Sequence, residues 1–472
     1  MADIVFKSEG GTNITPKWTY DTDVETITYA ISGGGASGTL ASGNEYDFAI
    51  GDQETITFST DGDWSGVTQI DMPSDDVSGN ISQLSTLTNL SILYFGNTNV
   101  TGDISNLSDM IILSILHFYN TDVMITSGCI DTLASLTTCR LDNCNFTQQE
   151  VDFLLASAKV NEAANPGRSV DFRIDGNNSS PSDTGMTDAY ELSYLGGWTV
   201  DVNSGTSDVS ISTQEELEGI NTDSNTLSWN YKQVNDIRTT GDWNPIGTYA
   251  DPFEGNFDGD GHKITGIYIS NNTDYQGLFG FIEGTVTKLG VEAVDVDLQA
   301  GQYGGVLAGG NYGTITECYS TGIVYGDACI GGLVGQNLDT IRNCYSHAEA
   351  IADTELGGGL IGDNTSFGPV ERCYSTGAVS GGDALGGLVG QDNDRVTDSY
   401  YDSETSGQSD TGKGTPKATA EMKTQSTFTN WDFDDTWYMS GYPSLEVFKK
   451  LVGIFRQGGG GQGFRGVFVQ GG

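Results

Sequence analysis

In the second half of the chain, short apolar runs entered through paired glycines recur at a nearly constant spacing. The runs read GGVLAGG, GGLVGQN, GGLIGDN and GGLVGQD, and they begin 27, 27 and 28 residues apart, at Gly304, Gly331, Gly358 and Gly386. Between them lie segments such as CYSTGIV, in which small and apolar residues alternate with period two. That alternation predicts short strands, and the glycines predict tight corners between them. A repeat of this length predicts a solenoid, in which each copy buries its apolar face against the next.

One position of the repeat is occupied by cysteine in three copies and by serine in the fourth, at Cys318, Cys344, Cys373 and Ser399. The chain has seven cysteines and no C-x-x-C spacing, which argues against a zinc site or a disulfide framework. We therefore expect the repeat cysteines to stack as small buried apolar side chains. A disulfide between neighbouring copies stays open as an alternative.

The motifs of the repeat resemble those of a known family. GGLVGQN followed by a CYSTG-like turn is similar to the GLUG repeat, which is named for its Gly-Leu-x-Gly core. The flanking segments FEGNFDGDGHKITGIYI and WDFDDTWYMSGYPSL resemble the opening and the closing segments of that family. The resemblance runs from near Ile211 to Leu445. It implies a GLUG-type β-helix or β-solenoid over residues 207–445, of the kind found in adhesins and phage fibres.

Residues 63–203 carry a second repeat, with a period of 23 residues. VSGNISQLSTLTNLSILYFGNTN begins at Val77, and VTGDISNLSDMIILSILHFYNTD begins at Val100. The L-x-x-L-x-F-x-N order is that of leucine-rich repeats, and the resemblance implies a leucine-rich-repeat module with one short strand per copy. The segment that follows, FTQQEVDFLLASAKV, has apolar residues on one side, so we expect it to form a helix that closes the module.

The two ends of the chain differ from the repeats. Residues 1–62 alternate apolar and polar positions between turn-rich segments, which predicts a small N-terminal β domain and a candidate site of attachment to a larger assembly. Residues 446–472 form a Gly-rich tail, and we predict that it docks on a partner through Phe464, Arg465 and Phe468. A frayed tail is the alternative. The chain is thus predicted to be mainly β, with two repeat modules between these ends.

The net charge excludes some classes of partner. The chain has 64 Asp and Glu against 20 Lys and Arg, which gives a formal net charge of −44. This charge argues against binding to nucleic acid or to an anionic membrane, and it suits a halophilic protein in a saline environment. The sequence has no apolar run long enough to span a membrane, and its first residues lack the apolar core of a secretory signal peptide.

The sequence shows no motif of a catalytic site. The three histidines, His117, His262 and His347, lie outside any H-E-x-x-H pattern, and neither a G-x-S-x-G nor a P-loop pattern occurs. Asp258 and Asp260 in FDGDGH resemble half of a calcium loop without its bidentate glutamate. They are therefore candidate ligands for Ca²⁺ or another cation. No other cofactor is predicted, and we expect a protein that is not an enzyme.

Tyrosines recur together with the repeats. Exposed tyrosines beside Asp and Asn form the surfaces that commonly bind sugars, because the ring packs on apolar C–H groups while polar neighbours bind hydroxyls. The candidate carbohydrate-binding residues are Tyr312, Tyr325 and Tyr345.

Surface-type repeats without an export signal favour a virion surface protein, such as a tail fibre, spike or capsid turret. This protein would attach to a host-cell glycan or surface layer, together with other virion proteins, and would form a homo-oligomer, with a trimer as one option. The alternative is a cellular surface adhesin of a bacterium or archaeon. A further alternative is a polysaccharide-degrading spike, because β-solenoids host such enzymes.

Overall fold

The computed structural model describes residues 77–365, 368–411 and 413–449 without interruption, shorter stretches between 3 and 72, and two short strands further on, Gly453–Ile454 and Val467–Phe468. The chain divides into two compact units, Met1–Val209 (unit 1) and Ser210–Gly472 (unit 2). Strands outnumber helices among the described residues of both units, so the prediction of a mainly β protein is confirmed.

Unit 1 contains two seven-stranded sheets. The strands of the first, in spatial order, are Asp122–Met124, Asn99–Asp103, Val77–Asn80, Ile4–Ser8, Thr55–Thr60, Ile27–Ile31 and Ser37–Thr39. The strands of the second are Thr199–Asp201, Asp171–Arg173, Thr138–Arg140, Ile115–His117, Ile92–Tyr94, Val67–Asp71 and Lys17–Tyr20. Asn13–Ile14 and Phe48–Ala49 form a separate antiparallel pair.

The 23-residue period of unit 1 sets the register of the second sheet. Leu93 pairs with Leu116, and Leu116 pairs with Cys139, in parallel strands one repeat apart. All three side chains are fully buried, because every middle residue of these three-residue strands points to the same side of the sheet. The predicted repeat therefore appears as a column of apolar side chains.

Helices complete unit 1. The predicted helix is present as Gln148–Ala164, and its apolar positions Val151, Leu154 and Leu155 are buried as expected. It begins with a capping box, in which Thr147 accepts from the Glu150 amide and the Glu150 carboxylate accepts from the Thr147 amide. The other helical segments are Asp183–Tyr194 and the 3₁₀ turns Ile81–Leu84 and Ile104–Leu107.

Unit 2 is built on three parallel sheets. The eight-stranded sheet comprises Asp208–Ile211, Asn230–Gln233, Asn256–Asp258, Thr285–Thr287, Thr314–Thr316, Ile341–Arg342, Val370–Glu371 and Val396–Thr397. The five-stranded sheet comprises Phe279–Ile282, Ala308–Asn311, Val334–Asn337, Ile361–Asn364 and Val389–Asp392.

The third sheet of unit 2 has thirteen strands. Its main path is Ile237–Arg238, Lys263–Thr265, Gly290–Asp297, Tyr319–Gly331, Tyr345–Ser346, Tyr374–Ser375, Tyr400–Asp402 and Thr415–Lys417. The strands beside this path are Tyr268–Ser270, Gly304–Gly305, Glu349–Gly358, Val379–Gly381 and Leu385–Gly386. Two short helices, Gln214–Gly219 and Ser224–Ser228, precede most of these strands, and Ser403–Ser406 follows the last copy.

The first glycine of each pair is required at a tight turn within its own copy. A β-carbon placed on Gly331 would lie 2.0 Å from the carbonyl oxygen of Val334, and one on Gly358 would lie 1.8 Å from that of Ile361. Both distances are far below van der Waals contact, so only glycine lets the chain turn this tightly.

An amide ladder runs along the five-stranded sheet. The side chain of Asn311 donates to that of Asn337 at 2.7 Å, and the side chain of Asn337 donates to that of Asn364 at 2.8 Å. The three asparagines are fully buried and occupy the same position in successive copies. Each side-chain amide therefore satisfies its neighbour where water has no access.

The repeat cysteines are buried, as expected. Cys318, Cys344 and Cys373 are completely inaccessible, and all three are free thiols. Each thiol lies 3.1 to 3.3 Å from a backbone carbonyl two residues earlier in its own copy. In the last copy Ser399 makes the same kind of contact, since its hydroxyl donates to the Thr397 carbonyl at 2.8 Å. Cysteine and serine thus fill this position with the same contact to the backbone.

The tyrosine column of the thirteen-stranded sheet is buried beneath a separate segment. Tyr319, Tyr345 and Tyr374 stack face to face, with ring centroids 4.9 and 5.0 Å apart. Residues 418–449, here called the aromatic cover, pack over this column. The cover consists of the helix Thr419–Met422, the 3₁₀ turns Gln425–Thr427 and Glu446–Phe448, and the hairpin Trp437–Ser440 with Tyr442–Leu445. Phe428, Trp431 and Trp437 of the cover form one apolar cluster with the tyrosines.

Candidate functional site

The structure places the three predicted sugar-binding tyrosines in different surroundings. Tyr312 is 56% exposed. Tyr325 is half-buried and donates its hydroxyl to Asp353 at 2.5 Å. Tyr345 is buried between Tyr319 and Tyr374, so both faces of its ring are already covered. The three side chains are not brought together.

A different group of tyrosines forms an exposed platform in unit 2. Tyr249 stacks on Tyr275 with a centroid distance of 5.4 Å, and Tyr275 stacks on Tyr303 at 4.6 Å. Phe281 packs its edge against Tyr249 and Tyr275, at 5.2 and 5.5 Å. Tyr249, at the outer end of this stack, is 67% exposed. A large aromatic ring is thus held rigidly at the surface, which is what a stacking contact with a ligand requires.

Two adjoining cavities lie beside this platform. One has a volume of about 610 Å³ and is lined by Tyr249 and Tyr275 together with the polar side chains of Asn271, Thr273 and Gln276. The other has a volume of about 350 Å³. They adjoin because Asn244, Pro245, Gly247 and Thr248 line both. We call the two cavities and the Tyr249 ring the Tyr249 groove.

Hydrogen bonds between copies hold the walls of the Tyr249 groove in place. Asn221 donates to the Pro245 carbonyl at 2.9 Å and accepts from the Gly247 amide at 2.8 Å, so one amide side chain clamps the shared wall. On the other side, Asp274 accepts from the Gln302 amide at 2.8 Å. Burial raises the pKa of Tyr275 to about 12, so its phenol stays protonated near neutral pH. The groove is therefore preformed and offers amide, hydroxyl and carboxylate groups around an aromatic ring.

Part of this site could have been found in the sequence. Tyr275 and Tyr303 occupy equivalent positions in successive copies, immediately before the paired Gln276 and Gly304. Aligning the copies would therefore have placed these two rings next to each other. Tyr249 lies in an irregular loop with no repeat signature, and only the folded structure brings it onto the stack.

The predicted cation ligands are engaged by lysines. The Asp258 carboxylate accepts from the Asp260 amide at 2.9 Å and lies 3.9 Å from the Lys288 ammonium. Asp260 forms an ion pair with Lys232 at 3.1 Å. Within the described ranges, no three His, Cys, Asp or Glu side chains are grouped so that they could hold a metal ion. These two aspartates fit a lysine-neutralised turn better than a Ca²⁺ site, which needs several oxygen ligands.

The predicted docking residues of the tail fall mostly outside the described residues. Phe464 and Arg465 are not among them, and Phe468 is described only as part of the strand Val467–Phe468. That strand pairs antiparallel with Gly453–Ile454. The docking role of the tail stays a prediction.

The three histidines contact different groups. His117 packs against the ring of Tyr94 at 5.2 Å, and His262 lies 3.1 Å from the Asp236 carboxylate. His347 is half-buried beneath the aromatic cover. Its Nδ1 lies 2.5 Å from Thr376 Oγ1, and its Nε2 lies 3.4 Å from Tyr374 Oη. Burial lowers the pKa of His347 to about 4. Its described ring neighbours are the neutral side chains of Tyr345, Tyr374 and Tyr442.

We expect His347 to make unit 2 sensitive to mild acid. The unfolded chain binds a proton at His347 below pH 6.5, whereas the folded chain resists protonation down to about pH 4. The free energy of unfolding therefore falls as the pH drops through this window, by up to about 3 kcal/mol, and the effect levels off below it. Urea titrations of the wild type and of His347→Gln should show the variant gaining about 2–3 kcal/mol relative to the wild type between about pH 7 and pH 4.5. A difference that does not change with pH would contradict this.

Comparison with known proteins identifies one motif. The model of a family described as the GLUG motif matches residues 326–351. This segment begins inside the strand Tyr319–Gly331 and ends inside the strand Glu349–Gly358, and it includes the GGLVGQN run. The chain therefore contains a GLUG motif where the sequence resemblance is strongest.

Two relatives are similar to parts of the chain. A protein of Evansella cellulosilytica, provisionally named a Gly-rich membrane protein, is 45% identical over 106 residues, which cover 20% of this chain and 12% of the relative. Halomucin of Haloquadratum walsbyi is 29% identical over 291 residues, which cover 50% of this chain and 3% of the relative. The chain thus spans about an eighth of the first relative and a much smaller part of the second.

One solved structure is also similar. A crystal structure provisionally described as an immunoglobulin A1 protease from Bacteroides ovatus covers 51% of this chain and 93% of its own, with 19% identity and a TM-score of 0.40. Similarity at this level carries no argument about fold or function. Within the part of the chain that the structure describes, no helix combines the length and the hydropathy of a membrane crossing.

Proposed function

We propose that this chain is a non-enzymatic protein of the cell surface or extracellular space that binds glycans through the Tyr249 groove. The observation that carries the proposal is the exposed Tyr249 ring, held by the stack on Tyr275 and Tyr303 at the mouth of a polar cavity. Aromatic rings at such positions pack against the C–H face of a pyranose, and the amide and carboxylate groups beside them bind its hydroxyls. Little conformational entropy is lost on binding, because the ring is already immobilised by its neighbours.

The relatives support a location at the surface of a cell. Their names are those of a mucin and of a membrane protein, and neither name is that of a virion component. The net charge of −44 fits an exposed protein in a saline medium. We therefore favour a surface adhesin of a bacterium or archaeon over a tail fibre, spike or capsid turret, with a glycan or surface layer as the partner.

We also propose the finer assignment of the fold. The parallel pairing of equivalent strands at a 23-residue spacing supports a leucine-rich-repeat module over residues 63–203. The same pattern, with successive copies of the paired glycines 27 or 28 residues apart, supports a GLUG-type β-solenoid over residues 207–445. Such stacks make elongated surfaces that suit adhesion.

Substituting Tyr249 tests the proposed site. We expect Tyr249→Ala to weaken binding of neutral oligosaccharides at least about tenfold, because the stacking surface is lost while the fold is not disturbed. Binding would be screened on an oligosaccharide array and quantified by calorimetry for the best ligand. Unchanged far-UV circular dichroism would show that the variant is folded.

Tyr312→Ala is the matched control, since Tyr312 is another exposed tyrosine of unit 2 but does not line the groove. It should bind like the wild type. If Tyr312→Ala loses binding and Tyr249→Ala keeps it, the predicted Tyr312 is the sugar-binding residue and the groove is not. If no oligosaccharide binds the wild type, the proposed function is wrong.

The proposed location can be tested in the source cells. Mass spectrometry of envelope, secreted and purified-particle fractions should find this chain in the envelope or secreted fraction of uninfected cells. Stoichiometric recovery with virus particles alone would instead support a virion component.

A further inference from the structure

We propose that the Tyr249 groove selects glycans by charge, accepting sugars with a free amino group ahead of neutral sugars and rejecting sugars with carboxylate or sulfate groups. This inference rests on the proposed glycan-binding function and adds the class of ligand. It follows from two observations: carboxylates line the two cavities, and no basic side chain is among the described lining residues.

All charged side chains that line the groove are carboxylates. Asp223 and Asp251 line the smaller cavity, and Asp274 lines the larger one. Among the described lining residues there is no Lys, Arg or His. The carboxylates are therefore not neutralised by a basic residue of the groove, unlike Asp258 and Asp260, which are paired with lysines elsewhere in unit 2.

Each of the three carboxylates keeps an oxygen for a ligand. Asp274 accepts from the Gln302 amide through Oδ1, and Asp223 accepts from the Thr226 amide through Oδ1. The side chain of Asp251 makes no hydrogen bond or ion pair with any described residue, and Asp251 is exposed. Asp251 and Asp274 are both exposed, so each is accessible to a ligand in the cavity that it lines.

Stacking and charge have separable effects in this geometry. The Tyr249 ring packs on the C–H groups of any pyranose, so it sets the overall affinity and is indifferent to the charge of the substituents. Unpaired carboxylates at contact distance attract an ammonium group and repel a carboxylate or sulfate, and they act on neutral sugars only through hydrogen bonds. The field of a chain with a net charge of −44 acts in the same direction at longer range.

A matched set of ligands tests the selectivity. Three β-1,4-linked tetrasaccharides of equal length, built from glucosamine, glucose and glucuronate, would be titrated calorimetrically into the full chain near pH 6 at low salt. We expect the glucosamine tetramer to bind about fivefold more tightly than the glucose tetramer, and the glucuronate tetramer about fivefold more weakly or not at all. In about 1 M NaCl the three affinities should converge, because salt screens the charges and leaves the stacking.

Paired variants separate the local charge from the net charge. Asp251→Asn with Asp274→Asn removes two carboxylates of the groove while keeping the Oδ1 acceptor for Gln302, so it should reduce both the preference for glucosamine over glucose and the discrimination against glucuronate. Asp295→Asn with Asp297→Asn is the matched control on another part of unit 2, where Asp295 is exposed and Asp297 accepts from the Gln299 amide at 2.9 Å. It changes the net charge equally and should leave the order of affinities intact.

The outcomes distinguish this inference from the function on which it rests. If the three tetramers bind with equal affinity, or if both double variants change the order equally, charge selection by the groove is wrong while glycan binding stands. Binding of the glucosamine tetramer that survives Tyr249→Ala would show attraction to the acidic surface in general and would also overturn the inference. If no tetramer binds the wild type, the inference fails, and the proposed function fails with it only if no oligosaccharide of the array binds either.

Discussion

Replacing Trp437 with alanine should lower the free energy of unfolding of unit 2 by about 3–5 kcal/mol, the range for removing a large aromatic side chain from a packed core. Trp437 is fully buried in the aromatic cover, with its ring 4.4 Å from that of Trp431 and 6.2 Å from those of Tyr345 and Tyr374. Removing the Trp437 ring would expose part of the tyrosine column. Tyr374 is held to the cover by one hydrogen bond to the Pro443 carbonyl, at 2.6 Å.

Trp437→Phe is the control, because it replaces the indole with a smaller aromatic ring that still fills most of the site. The indole N–H of Trp437 has no hydrogen-bond partner among the described residues, so phenylalanine keeps most of the packing and removes no polar contact. Its effect should stay below about 1.5 kcal/mol. Urea unfolding followed by far-UV circular dichroism measures both variants. A loss of less than about 1 kcal/mol for Trp437→Ala would mean that the cover is not packed on the column in solution.

The second large effect is expected from the amide ladder. Asn337→Ala removes one hydrogen bond to Asn311 and one to Asn364, and it leaves both partners with an unsatisfied buried group. Each such group costs about 1–3 kcal/mol, so the variant should lose about 2–6 kcal/mol. The unfolding transition of unit 2 should also become less cooperative, because every copy contacts only its neighbours and a weakened contact in the middle uncouples the copies on its two sides.

Asn256→Ala is a control of the same chemistry at the surface. Asn256 donates to Asn230 at 2.7 Å in the eight-stranded sheet, again between neighbouring copies, but it is exposed. Water replaces the lost bond there, so the expected change is below about 0.5 kcal/mol. Equal losses for the two variants would show that the burial of the ladder is not what makes it stabilising.

Features that repeat along the chain were predictable from the sequence. The copies of unit 2, the burial of Cys318, Cys344 and Cys373, and the exchange of cysteine for Ser399 all follow from aligning the copies. These features depend on contacts between adjacent copies, and a periodic sequence specifies such contacts by its period alone. The helix Gln148–Ala164 was also predictable, because its apolar stripe and its Thr-x-x-Glu cap are local signals.

The exposure of individual tyrosines was not predictable in the same way. Tyr345 and Tyr312 both recur with the repeats, yet one is buried and the other is 56% exposed. Tyr345 is buried because the aromatic cover, which lies many residues later in the chain, packs on its column. A period predicts which side chains align but not which columns are later covered. For the same reason the sequence did not indicate that Tyr249 would complete a stack with Tyr275.

The lysine partners of the candidate cation ligands Asp258 and Asp260 were not predictable from the sequence for a related reason. The local sequence FDGDGH shows the aspartates but not the lysines of the neighbouring copies. Lys288 lies one copy further along the chain and Lys232 one copy earlier, and the stacking brings both ammonium groups to the turn. The surroundings of a turn in a stacked protein are set by the turns beside it as much as by its own residues.

The pairing of each copy with equivalent positions in the next copy gives unit 2 an adjustable length. Removing residues 331–357 would join Ile330 to Gly358 and bring Asn311 next to Asn364, so that strands, ladder and columns meet again in register. The Tyr249 groove lies in the early copies, and the aromatic cover lies on later ones. Inserting a whole copy between the two would therefore increase their separation by about 4.8 Å. The number of copies therefore sets the distance between the groove and the cover in fixed steps.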